Sequence, residues 1–186
     1  MRWLHLVRHA PVKMDPDVMA SDWELASDGE ASILAILDSV EASRLERIVT
    51  SQEVKAKQTG ELLAAHLGLP LETRPGLEEH HRGQADFLNE AGFKAALASF
   101  FSWPNEVVFG EESAAMSFNR FAAAIREMMN ETNHDELVVS HGRVISLFVA
   151  SIQRADPMEF WSSLKLPDHI PIEWPIHQSS AGNCVD

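Results

Sequence analysis

Cysteine is nearly absent from this chain of 186 residues: Cys184 stands alone. No internal disulfide can form, and nothing indicates an oxidising compartment. Cations are also few, with 15 Lys and Arg against 28 Asp and Glu and a formal net charge of −13. Such a balance opposes nonspecific binding to nucleic acid or to an anionic membrane, because phosphate backbones and acidic headgroups are read chiefly by Lys and Arg. No apolar run approaches the roughly 18 residues of a membrane span. The short run after Met1-Arg2 is interrupted by His5 and Arg8, unlike the core of a secretory signal. Repeats, linkers and low-complexity segments are missing, as is any Cys or His set at zinc-site spacing. These absences lead us to expect a cytoplasmic protein, with neither nucleic acid nor membrane as partner and no metal.

Hydrophobic residues make up 45% of the chain and charged residues 23%, as in an ordinary globular protein. The length fits one domain, residues 1–186, able to bury roughly 70% of its unfolded surface. Within it, Leu4-His5-Leu6-Val7-Arg8-His9-Ala10 has the apolar start of a strand buried on both faces, the kind found in parallel sheets covered by helices. The run then ends in an arginine and a histidine. Ligands of open α/β sheets sit at the carboxyl ends of strands, so a cationic fork beside an imidazole there points to an anion under attack.

Further along, Pro11 through Asp22 reads as a loop. Ser27-Asp28-Gly29-Glu30 has capping-box spacing ahead of Ile33, Ile36, Leu37 and Val40 at helical intervals. A second strand is expected at 47–51 and a helix from Glu53 to His66, stopped by Gly68 and Pro70; Gly60 inside that helix suggests close packing. A strand over 71–77 would be broken at Pro75-Gly76. From about 77 to 112 the aromatics gather (Phe87, Phe93, Phe100, Phe101, Trp103, Phe109), which reads as an inserted lid with most rings serving as core. A helix follows over 113–131. The strand Glu136–Ser140 then runs into His141-Gly142 and an apolar helix to Ile152, and a proline-rich tail carries at most a short helix and an edge strand near Ile172-Glu173-Trp174. Asp135-Glu136 and Glu111-Glu112 read as exposed loop charges.

Three strand-to-helix junctions thus carry polar residues of complementary type: Arg8 with His9, Thr50-Ser51 leading to Lys55, and His141 with Gly142. In parallel neighbours these tips converge. Arg8, Lys55 and His141 would then offer positive charge and donors to phosphate oxygens, and the helix after Gly142 its amino end and dipole. Ser51 and Ser140 precede helices but sit in no Gly-x-Ser-x-Gly elbow, so they read as caps or pocket lining.

The segments Leu6-Val7-Arg8-His9-Ala10, Thr50-Ser51 through Lys55-Ala56-Lys57-Gln58-Thr59, Leu77-Glu78-Glu79 and Val139-Ser140-His141-Gly142 resemble, in order, the motifs of the histidine phosphatase superfamily, which includes the phosphoglycerate mutases. The resemblance implies a three-layer α/β sandwich, its sheet mainly parallel with helices on both faces. It implies phosphomonoester hydrolysis of a small phosphorylated metabolite without cofactor or metal. His9 would be the nucleophile forming a phosphohistidine. Arg8, Lys55, His141 and Gly142 would hold the phosphoryl oxygens. Glu79 would be the acid and base, a task favouring a raised carboxyl pKa. Position 79 is preferred over Glu78 because the family places its acid two residues after a Leu. Departures are Ala10 for the usual Gly, Asp15 for a common Asn and Lys55 for a common Arg; Lys55 keeps the charge but loses the planar fork. The rivals are a mutase, disfavoured because Arg82 and Lys94 are the only cations over 80–112, and a noncatalytic phosphate-binding module.

Overall fold

A computed structural model describes residues 1–83 and 88–176; Phe87 and Cys184 lie outside the described residues. The strands are β1 (Arg2–Arg8), β2 (Leu45–Thr50), β3 (Leu71–Thr73), β4 (Asp135–Ser140) and β5 (Asp168–Trp174), and the helices α1 (Gly29–Leu37), α2 (Val54–Leu67), α3 (Glu90–Ser102), α4 (Ala114–Glu131), α5 (Gly142–Gln153) and α6 (Pro157–Ser163). The sheet order is β3-β2-β4-β1-β5. All neighbours are parallel except β5, which runs antiparallel to β1 at one edge.

Helices cover both faces, so each central strand is apolar in both directions. Leu4, Leu6, Val138 and Ile172 pack with Phe121 and Ile125 of α4 and Phe148 of α5. Val7, Ile48, Leu137 and Val139 pack with Ile33 of α1 and Leu63 of α2. Between β3 and α4, Leu97, Phe100 and Phe101 of α3 form a satellite core with Ala114, against Trp161 and Phe93, so these rings serve chiefly as packing. Gly60 meets its expected purpose: a Cβ there would collide with Thr50 Cγ2 and come within 2.9 Å of Leu71 Cδ1.

Several sequence expectations are corrected. The capping box does not form, because α1 begins at Gly29 with Asp28 as N-cap and no side-chain cap bond, leaving Ser27 one residue too early. The strand after α2 ends at Thr73, ahead of the turn at Gly76, whose φ is +89°. Asp135 and Glu136 are buried strand residues, not loop charges. Asp135 accepts the Trp3 N–H at 2.8 Å, and Glu136 is held by Arg47 from β2 at 3.1 Å. Glu112 is buried against Arg120 at 2.6 Å; Glu111 is exposed as expected.

β5 is tied to β1 through a stacked histidine pair. His5 Nδ1 and His169 Nε2 lie 2.9 Å apart, and His169 Nδ1 meets Ser39 Oγ at 2.9 Å. Burial lowers the pKa of both; in His169, to about 4, repulsion from His5 adds to it. Unfolded histidines titrate near about 6.5, so between that pH and about 4 the unfolded chain binds more protons than the native one. Stability therefore falls as pH drops through this window. The urea midpoint should decline from pH 7 to pH 4, and His169→Gln should make the decline shallower. An unchanged slope in the variant would contradict this.

Candidate active site

The site forms where β1, β2 and β4 end, and backbone hydrogen bonds fix those ends to one another. His9 N–H donates to the Ser140 carbonyl at 3.0 Å and Ser51 N–H to the Val139 carbonyl at 3.1 Å. Ala10 N–H donates to Thr59 Oγ1 at 3.0 Å, and Thr59 Oγ1 in turn donates to the Lys55 carbonyl at 2.7 Å. Ser140 Oγ donates to the Leu77 carbonyl at 2.7 Å, bringing the segment that carries Glu79 to the tip of β4.

The two imidazoles face each other there, ring centroids 5.2 Å apart. His9 Nδ1 lies 2.8 Å from the Ala10 carbonyl. A carbonyl only accepts, so Nδ1 carries the proton and Nε2 keeps its lone pair. Burial above all, then the charges of His141, Lys55 and Arg8, hold the His9 pKa well below the usual histidine value. His141 is fully buried and likewise depressed, by burial first and Lys55 next. Its Nε2 sits 2.6 Å from Ser51 Oγ, which also accepts the Glu53 N–H at 3.3 Å. With Ser51 donating to Nε2, the proton of neutral His141 resides on Nδ1, a buried atom without a hydrogen-bond partner among the described residues. Ser51 is thus a buried hydrogen-bond partner of His141 that also receives the N–H of Glu53, the residue that opens α2.

Arg8 donates to the Leu164 carbonyl at 3.1 Å and lies 5.9 Å from the Trp161 ring centroid, while its buried Nε has no partner among the described residues. Gly142 makes this possible: a Cβ there would stand 3.1 Å from Arg8 Nε and 3.0 Å from Trp161 Nε1. Next to it, the amino end of α5 is engaged by Glu79, which accepts Arg143 N–H at 3.1 Å and Val144 N–H at 3.3 Å. Its Oε2 is 3.3 Å from Arg143 Nε. Burial pushes the Glu79 pKa up, but Arg143, His141 and the backbone donors outweigh it and the net direction is strongly down. That is opposite to the raised value expected of an acid. The cause is the guanidinium and helix amino end at its carboxylate, both of which a phosphate dianion would engage instead. Glu78, by contrast, closes a local turn through Gly76 N–H at 2.8 Å.

The sequence profile of the histidine phosphatase superfamily (branch 1) matches residues 4–169. The chain belongs to that superfamily. No sequence among curated proteins matches it. Solved structures share the fold at low identity. A phosphoserine phosphatase from Entamoeba histolytica, in complex with 3-phosphoglyceric acid, is 18% identical with a TM-score of 0.71, over 92% of this chain and 90% of that one. A mycobacterial glucosyl-3-phosphoglycerate phosphatase in complex with VO3 is 20% identical with a TM-score of 0.66, over 87% of each. Bacillus stearothermophilus YhfR is 20% identical with a TM-score of 0.68, over 87% of this chain and 85% of that one.

Within this superfamily member, the departures acquire physical content. Ala10 is accommodated because its backbone needs no positive φ. Asp15 is turned into its own loop, accepting Asp17 N–H at 3.0 Å. Lys55 is buried and donates to the Ala20 carbonyl at 2.6 Å and to Glu53, with which it forms an ion pair. Glu53, which sequence reasoning missed, also accepts Glu79 N–H at 2.7 Å and stands 3.6 Å from His141 Nε2. Arg143 and Arg120 were missed as well. Arg120 clamps the Glu79 segment through the carbonyls of Gly76, Glu78 and Glu79 at 3.0–3.1 Å. Their only sequence signal was placement, one beside His141-Gly142 and the other on the buried side of α4. Among the described residues no three His, Cys, Asp or Glu are grouped to hold a metal ion, and no helix is long and apolar enough to cross a membrane.

Glu53 pairs with Lys55, whose charge lowers the pKa of both imidazoles. Glu53→Gln keeps an acceptor for Glu79 N–H and removes one negative charge, so inorganic phosphate should bind about tenfold more tightly, read by calorimetry. Weaker binding would instead mean that the charge of Glu53 is needed to hold Lys55 in place.

Proposed function

We propose that the protein hydrolyses a phosphomonoester of a small metabolite through a phosphohistidine on His9. One observation carries this reading: a buried His9 ring whose Nδ1 proton is committed to the Ala10 carbonyl, leaving a neutral Nε2 opposite His141. A neutral ring nitrogen with a free lone pair can attack phosphorus in line. Arg8, Lys55, the His141 Nδ1 proton and the backbone N–H groups opening α5 supply donors for the equatorial oxygens, where charge spreads in the transition state. When the phosphate engages these groups, Glu79 loses the interactions that depress its pKa. It can then protonate the leaving alkoxide and afterwards take a proton from the water that attacks phosphohistidine. Each half-reaction balances: the oxygen–phosphorus bond of the ester breaks as nitrogen–phosphorus forms, and water later restores His9 and releases phosphate.

Hydrolysis is preferred to mutase action because the cations over 80–112 are thin. The phosphatase names of structures sharing the fold accord with it. Turnover of p-nitrophenyl phosphate should fall at least about a thousandfold in His9→Ala; a folded wild type without turnover would leave only a phosphate-binding module. Glu79→Gln should slow alkyl phosphates by about a hundredfold and aryl phosphates far less, since a good leaving group needs no proton. Equal loss on both would contradict an acid role.

A further inference from the structure

The guanidinium of Arg8 is held by a segment that no sequence motif marks, the stretch from α6 into β5. Its Nη1 donates to the Leu164 carbonyl at 3.1 Å and to the Lys165 carbonyl at 3.4 Å. Both of those residues are themselves tied down. Leu164 N–H closes the end of α6 on the Trp161 carbonyl at 3.3 Å, and Lys165 N–H donates to Asp168 Oδ2 at 3.0 Å. At its other end α6 is capped by Asp156, which accepts Glu159 N–H at 2.8 Å. Trp161 stands on this helix, and its ring centroid lies 5.9 Å from Arg8 Cζ, within reach of a cation–π contact. Gly142 leaves room for the pair: a Cβ there would stand 3.0 Å from Trp161 Nε1 and 3.2 Å from Arg8 Cζ. Phe93 of α3 meets the Trp161 ring edge-on, centroids 6.2 Å apart, so the ring is also seated against the satellite core.

These contacts divide the guanidinium into used and unused edges. Its N–H donors lie in one plane and point in fixed directions. Nη1 is taken by the two carbonyls, whereas Nε is buried and has no partner among the described residues. Nε–H and the adjacent Nη2 N–H run side by side, so the edge left over is a fork that matches two oxygens of a phosphoryl group. A buried donor without a partner is unfavourable, and an anion at that edge would remove the cost. An arginine free to rotate would lose its rotamer freedom on binding, but this one is already placed.

We propose that Trp161 is a positioning residue: together with the Leu164 carbonyl it fixes the rotation of Arg8, so that the Nε edge and not the Nη1 end meets the phosphoryl oxygens. This rests on the phosphoryl pocket at His9 and His141. It adds to that pocket a residue that acts only through Arg8. Because Trp161 also packs on Phe93, α3 and the phosphoryl pocket meet at this one ring.

The test uses the full chain and reads kcat/KM for p-nitrophenyl phosphate together with the affinity for inorganic phosphate by calorimetry. Trp161→Leu should lower both at least about tenfold, and Trp161→Phe, which keeps a ring face, should stay within about threefold of wild type. In an Arg8→Met background Trp161→Leu should change kcat/KM less than about twofold, because the group it positions is gone. A ring needed only for packing would cost the same in both backgrounds. Should Trp161→Leu not fold, Trp161→Met fills more of the volume and makes the same comparison. The edge itself is read in the wild type by NMR: inorganic phosphate should shift the Arg8 Nε–H resonance, assigned by its absence from Arg8→Lys. Equal losses in the two backgrounds, no loss in a folded Trp161 variant without a ring, or bound phosphate that leaves the resonance in place overturns the role. Wild-type turnover that the Trp161 variants match sinks only this role. A phosphate affinity that depends on Trp161, without wild-type turnover, sinks only the hydrolysis, and a wild type that binds no phosphate overturns both.

Discussion

Everything proposed for this site depends on one short hydrogen bond, from His9 Nδ1 to the carbonyl of the next residue. It selects the tautomer and so decides which ring nitrogen is free to react. The bond exists because β1 stops at Arg8 and the chain turns there, its direction fixed by the His9 N–H to Ser140 carbonyl link and the Ala10 N–H to Thr59 link. Two parallel neighbours, β4 and β2, deliver His141 and Ser51 to the same place. The sheet's contribution is therefore positional accuracy for groups that are distant in sequence, the kind of preorganisation on which phosphoryl transfer relies.

The second constraint is charge. The chain carries a formal −13, yet Arg8, Lys55 and Arg143 act on two imidazoles that are held neutral. Concentrated positive charge in a buried pocket is costly unless answered, and Glu53 and Glu79 answer part of it, Glu53 at Lys55 and Glu79 at Arg143 and the amino end of α5. Both acids thus take up interactions that suit a phosphate dianion. On the proposed function, ligand binding would be an exchange of anions that couples substrate arrival to the release of Glu79.

The sequence made the tips of β1 and β4 legible because an apolar run buried on both faces is a strong signal, and its abrupt end in Arg8-His9 or His141-Gly142 is an equally strong break. The motif order then gave the family, and the sheet, its edge strand and most helix bounds followed. What stayed hidden were charges whose partners are far along the chain. Asp135 and Glu136 look like a solvated turn until Trp3, Arg44 and Arg47 arrive from other segments. Glu53 opens a helix, where an acidic residue has an ordinary explanation as a dipole partner, and nothing local to Arg143 shows that its partner will be Glu79. Arg120 resembled any polar residue on α4 until the Gly76–Glu79 segment folded over it. The depressed pKa of Glu79 was invisible for the same reason, since its main causes, Arg143 and His141, lie far along the chain.

The most direct check is to mix the wild-type protein with a 32P-labelled phosphomonoester, quench at alkaline pH within milliseconds, and map the label by peptide mass spectrometry. The account predicts an alkali-stable, acid-labile phosphoryl group on Nε2 of His9. Label on any other residue, or turnover with no protein-bound phosphate at any quench time, would contradict it.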